Sequence, residues 1–153
     1  MTLNDTPTRT RNAELAQAYL HLMKEQEWDA WIELWTDDAV LEFPFAPTGG
    51  KSRLVGKMDI LQYMRSVSGR IVVLGVKELK MHPMLDPEQI LVELQIEGRI
   101  PATGAPYDQR YVTLFTFKGG RLAHYREYWN PLVSIEAYGS YEAWLAQATA
   151  SRD

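Results

Sequence analysis

From Phe117 to Pro131 the chain reads FKGGRLAHYREYWNP, and this stretch decides how the rest is assembled. Lys118-Gly119-Gly120 supplies the positive φ of a tight turn, so Tyr107 to Phe117 and Arg121 to Trp129 read as the arms of a long hairpin. Side chains alternate between the faces of a strand. Tyr125, Glu127 and Trp129 therefore share one face, while His124, Arg126 and Tyr128 share the other. A lone carboxylate among aromatic rings has two meanings: it meets water, or it points into a pocket and does chemistry.

Upstream of the hairpin the pattern stays strand-like. Arg70 to Met81 is β-branched and then alternating, His82-Pro83 through Asp86-Pro87 reads as a turn, and Gln89 to Gly98 alternates, with Ile90, Val92, Leu94 and Ile96 against Glu93, Gln95 and Glu97. PATGAP forms a loop. Earlier still the spacing turns helical. One helix carries Leu15, Ala16, Tyr19, Leu22 and Met23 on a face, and a second carries Trp28, Trp31, Ile32 and Trp35. Asp37 and Asp38 are expected to end that second helix. AVLEFPF (Ala39 to Phe45) is a short strand, APTGGKSRLVG a loop, and Lys57 to Ser68 a third helix showing Ile60, Tyr63, Met64 and Val67 on one side. Gly69 is placed to stop it in the left-handed conformation. A further short helix is expected around Tyr141 to Ala148.

This order defines an α+β chain, with helices on one face of a strongly curved antiparallel sheet. At 153 residues it is one domain's length, with 46% apolar and 24% charged residues. The net charge of −4 and the lack of any Lys/Arg cluster argue against nucleic acid as a partner. No cysteine is present, which excludes disulfides, thiolate metal sites and cysteine nucleophiles. His21, His82 and His124 are scattered without metal-ligand spacing, so no metal is expected. No apolar run approaches the roughly 20 residues of a membrane span. The polar start MTLNDTPTRTRN lacks a signal-peptide core, and a cytoplasmic location is expected.

WTDDAVLEFPF and FKGGRLAHYREYWNP, in these positions, resemble the NTF2-like superfamily, with the SnoaL-like and ketosteroid-isomerase-like branch nearest. The likeness implies a cone: three N-terminal helices packed over the concave face of the bent sheet, spanning residues 12–131. Residues 1–11 are then a flexible arm and residues 132–153 a tail. The resemblance puts the helix tyrosine of ketosteroid isomerase on Tyr19, but its base position falls on Phe43 and a second oxyanion donor on about Thr113. That isomerisation mechanism is therefore not implied. REYWNP (Arg126 to Pro131) is similar to the strand of phenazine-biosynthesis A/B proteins whose glutamate serves as acid/base, which carries over to Glu127. No counterpart of the histidine those proteins use is found.

The resulting expectation is a cofactor-free enzyme of isomerase, cyclase or dehydratase type, acting on a small cyclic or aromatic carbonyl compound. Glu127 is its candidate general acid/base and Tyr19 a hydrogen-bond donor. Trp35, Phe43, Tyr63, Met64, Tyr111, Thr113, Phe115, Tyr125 and Trp129 are candidate walls for a hydrophobic or aromatic ligand. Rings around a carboxylate strip its hydration and raise its pKa towards neutrality, where it shuttles protons well. The competing expectations are an ion pair of Glu127 with Arg110 or Arg99, and a binding module without catalysis. The outer sheet face, with Val112 and Leu114, is expected to bury itself against a second copy.

Overall fold

The rings that dominate the helical stretches cannot be left in water, and their burial organises the chain. A computed structural model describes residues 5–149. Asp5 caps the first helix, α1 (Thr6–Lys24), accepting from Thr8 N at 3.2 Å and from Thr8 Oγ1 at 2.8 Å. The helix thus starts ahead of Asn12, within the expected arm, whose first four residues lie outside the described part. A turn leads to α2 (Trp28–Ile32), which is shorter than its tryptophan spacing implied.

Trp35 instead opens β1 (Trp35–Glu42). Asp37 and Asp38 accordingly do not end a helix. They sit exposed within β1, and Asp37 meets Lys57 at 3.1 Å. The loop expected after β1 contains a three-residue strand, β2 (Arg53–Val55), paired antiparallel to β1. Next come α3 (Lys57–Ser68), β3 (Val72–Pro83), β4 (Gln89–Arg99), β5 (Gln109–Lys118) and β6 (Arg121–Trp129). Gly69 ends α3 at φ −72°, in the right-handed region and not the left-handed one, and one more turn is made as Arg70 N bonds to Val67 O at 3.0 Å. Gly119 and Gly120, at φ 59° and 79°, do make the left-handed hairpin turn.

The six strands form one open sheet in the order β2-β1-β6-β5-β4-β3. Four neighbouring pairs are antiparallel, but β1 lies parallel to β6, so the sheet is mixed. The α1–α3 helices cover its concave face. Tyr19, Trp31, Trp35, Phe115 and Tyr125 interlock there at ring-centroid spacings of 5.1–6.0 Å.

After β6 the chain forms two helices where one was expected. Asn130 caps α4 (Pro131–Tyr138) through Leu132 N at 3.1 Å, and α5 (Tyr141–Thr149) follows. A second, smaller core of Ile96, Ile100, Tyr107 and Ala137 joins α4 to the far end of the sheet. The α5 helix folds back over the end of β6, bringing Trp144 to 6.5 Å from Trp129. No described helix is long and apolar enough to cross a membrane.

Candidate active site

Strand register lays the concave face out in rows. The first joins Ile90, Phe115, Tyr125 and Leu41 across four strands, and every member is at most 4% exposed. The second joins Met81, Val92, Thr113 and Glu127. The third joins Leu79, Leu94, Tyr111 and Trp129, and its members keep accessible surface. Glu127 therefore stands where a dry floor of rings gives way to the open side of the sheet.

Its surroundings fix its chemistry. Glu127 retains some accessible surface, yet protein encloses it, and this desolvation raises its carboxyl pKa from 4.5 to about 7. Tyr125 Oη donates to Glu127 Oε1 at 2.7 Å and offsets part of that rise. Tyr19, Tyr63 and Tyr111 also lie within electrostatic reach of the carboxylate. Burial first, and the negative charge with it, pushes their phenols up, Tyr63 to about 12. Each remains a protonated donor at any pH the protein meets.

Four tyrosines from α1, α3, β5 and β6 thus lie within electrostatic reach of one acid, and among the described residues Tyr125 alone hydrogen-bonds to it. The ion-pair alternative does not describe this carboxylate. Arg110 reaches Glu78 at 3.6 Å, and among the described residues Glu127 has no cationic partner. His124 and Arg126 point to the convex face, both towards Glu42, as strand alternation requires.

The other wall candidates separate into two depths. Trp35 and Phe115 are 0% and 1% exposed and belong to the core. Thr113 is buried directly across from Glu127. Phe43 and Met64 are buried too, with Phe43 packed 5.7 Å from Tyr63. Tyr63, Tyr111 and Trp129 are half-buried and border the open side. Tyr19 is 1% exposed and lies behind Tyr125, their rings 5.1 Å apart. Its hydroxyl interacts electrostatically with Tyr125 but has no well-formed hydrogen bond among the described residues.

Three features at this end were not read from the sequence. Tyr107 bridges Tyr111 Oη, at 3.5 Å, and Ser134 Oγ, at 3.2 Å. Arg70 links α3 to α5. The α4 helix carries Ser134 and Tyr138, and its signal was present as Asn130-Pro131 at the start and Gly139 at the end. A separate open depression of about 330 Å³ lies beside α4, lined by Ala105, Pro106, Asp108, Val133, Glu136 and Ala137. Its polar groups are two acids, one already facing Lys77 at 3.6 Å, and it offers no comparable chemistry.

Residues 16–125 match the SnoaL-like domain family, and the chain belongs to that family within the NTF2-like fold. It is 35% identical to the Bacillus subtilis protein YesE, itself uncharacterised, over 82% of this chain and 86% of that one. It is 31% identical to an uncharacterised PhzA/B-like protein of Pseudomonas aeruginosa, over 81% and 87% of the two chains. The crystal structure of a proposed isomerase from Bacillus subtilis superposes with a TM-score of 0.81 at 33% identity, over 86% of this chain and 95% of that one.

Proposed function

We propose that the protein is a small-molecule-converting enzyme in which Glu127 moves a proton to or from a carbon beside a carbonyl. The single observation that supports this best is the enclosed carboxyl with a pKa of about 7, bonded by Tyr125 and within electrostatic reach of three further phenols. Near neutral pH both of its forms are populated, so it can accept a proton in one half of a cycle and return it in the other.

Tyr63 and Tyr111 border the open side and would donate to the substrate oxygen as negative charge develops there. Tyr125 holds Glu127 in place, and Tyr19 backs Tyr125 from the core instead of meeting substrate itself. Trp129 forms the aromatic wall for a flat, cyclic substrate. Isomerisation, cyclisation and dehydration all begin with this proton transfer, and no cofactor is needed for it. The kinship with a proposed isomerase and a PhzA/B-like protein supports this class of reaction.

Proton abstraction beside a carbonyl can be followed without the natural substrate. A panel of cyclic ketones in D₂O should exchange α-hydrogens for deuterium faster with the protein than without it. Glu127→Gln keeps the shape and removes the proton carrier, so exchange should fall by about 10²–10⁴. Equal exchange by the two proteins would dismiss the role. The second reading, a binding module, draws on the Tyr125 hydrogen bond that satisfies Glu127 internally. It expects ligand affinity that survives Glu127→Gln and no exchange by either protein.

A further inference from the structure

One charged side chain near the tyrosine-lined side of the sheet remains without an assignment. Arg70 follows α3 by one turn. Its Nη2 donates to Ser66 Oγ and its Nη1 to Gln147 Oε1, each at 2.8 Å, which pins the guanidinium between the end of α3 and α5. Both partners are neutral, and among the described residues the cation has no carboxylate partner. A guanidinium carries five N–H donors in a planar fork, and among the described residues these two bonds occupy it. Arg70 is half-buried, so its charge is partly desolvated, with no opposite charge among the described residues bonded to it.

Its placement relates it to the acid. Tyr63, two turns before it, lies within reach of both the Arg70 and the Glu127 charges, and Tyr138 from α4 also senses Arg70. Cation and acid therefore flank the same tyrosine-lined side of the sheet. The α5 helix that holds Gln147 also supplies Trp144 next to Trp129.

We propose that Arg70 anchors an oxyanion substituent of the substrate, holding it while Glu127 acts on the carbonyl-bearing part. The second half of this statement rests on the acid/base reading of Glu127; the anchor itself does not. The natural substrates are then small cyclic carbonyl compounds that also carry an acidic substituent, with simple ketones as minimal substrates. Ser66 and Gln147 hold the fork open, as bidentate capture of a carboxylate or phosphate oxygen pair requires.

Binding of simple probes tests the anchor apart from catalysis. Benzoate, phenyl phosphate and the neutral isostere benzamide are titrated against tryptophan fluorescence. One of the anions should bind at least about tenfold more tightly than benzamide, and Arg70→Gln should erase that advantage while Arg70→Lys keeps part of it. Whether benzoate or phenyl phosphate leads distinguishes a carboxylate from a phosphate. Anions that bind no better than benzamide in the unaltered protein, or equally well to Arg70→Gln, overturn the proposal. If Glu127→Gln exchanges ketone hydrogens normally while Arg70→Gln loses anion binding, the anchor stands and only the acid/base role falls.

Discussion

Tyr125 Oη donates to Glu127 Oε1 at 2.7 Å from two positions earlier on the same face of β6. Alternation puts them side by side, and the hydrogen bond opposes the desolvation that raises the acid's pKa. Tyr125→Phe removes the hydroxyl and leaves the ring packing. The pKa of Glu127 should then climb by roughly one to two units, since a hydrogen bond to a charged group is worth about 1.5–3 kcal/mol. A carboxyl ¹³C titration reads this directly. An unchanged midpoint would show that the phenol does not tune the acid.

The same raised pKa makes folding stability depend on pH. Glu127 holds its proton up to about pH 7 in the folded chain and only to about 4.5 as an ordinary carboxyl. Between these values the folded state binds more protons, so the contribution of this group falls as pH rises and its full cost is present above pH 7. That cost is at most about 3 kcal/mol. Glu127→Gln should therefore gain stability relative to the unaltered protein as pH rises from about 5 to 8. Urea midpoints across that range measure it, and parallel pH curves for the two proteins would contradict the buried-acid picture.

Gly98 sits where β4 is clasped from both sides. A Cβ added there would lie 2.9 Å from Tyr107 O and 3.0 Å from Val72 O, both backbone atoms with little freedom to yield. Tyr107 N also bonds to Gly98 O at 2.8 Å, tying down the segment that carries Tyr107 towards Tyr111. Gly98→Ala should cost about 1–3 kcal/mol by forced displacement. A thermal melt reads the loss, and a melt equal to that of the unaltered protein would mean the strand has slack.

How much of this could be read in advance depends on range. The hairpin at Gly119-Gly120 and the shared face of Tyr125, Glu127 and Trp129 were legible from neighbours in sequence, a turn that needs positive φ and a two-residue period, whereas the inward direction of that face was implied by the resemblance to ketosteroid isomerase at Trp129. The parallel pairing of β1 with β6 has no local signature, since it joins Leu41 to Tyr125 across most of the chain. A strand of three residues, Arg53–Val55, is too short to show a period. Arg70 and Gln147 stand 77 positions apart, and nothing near either one announces the other. Trp35 misled for a different reason: its spacing from Trp31 suits a helix, but burial in the shared ring cluster satisfies it equally well from a strand.

The convex face gives a prediction about assembly. Leu91 pairs with Leu114, and Val112 with Tyr128, placing apolar side chains at the middle of a face otherwise edged by Glu93, Arg110, Arg126 and Glu42. An apolar centre with a charged rim suits an isologous contact with a second copy. Light scattering at micromolar concentration should report a dimer, and Leu114→Glu should convert it to monomer while circular dichroism stays native. A monomeric unaltered protein would leave this face as ordinary surface.

Two tryptophans distinguish core from wall. Trp35 is 0% exposed and touches Tyr19, Trp31 and Tyr125 at 5.3–6.0 Å between ring centroids, so Trp35→Ala opens a void in the floor beneath the site. It should cost about 3–5 kcal/mol and compromise folding outright. Trp129 is half-buried, borders the open side in the row beyond Glu127, and meets Trp144 at 6.5 Å. Truncating it removes fewer buried contacts, so Trp129→Ala should unfold at a denaturant midpoint much nearer that of the unaltered protein. Its defect should appear in weaker binding of aromatic probes, because the lost ring is a surface on which a flat ligand stacks. Denaturation and probe titration of both variants decide the matter. If Trp129→Ala binds aromatic probes as well as the unaltered protein does, that ring is packing alone and the ligand lies elsewhere on the concave face.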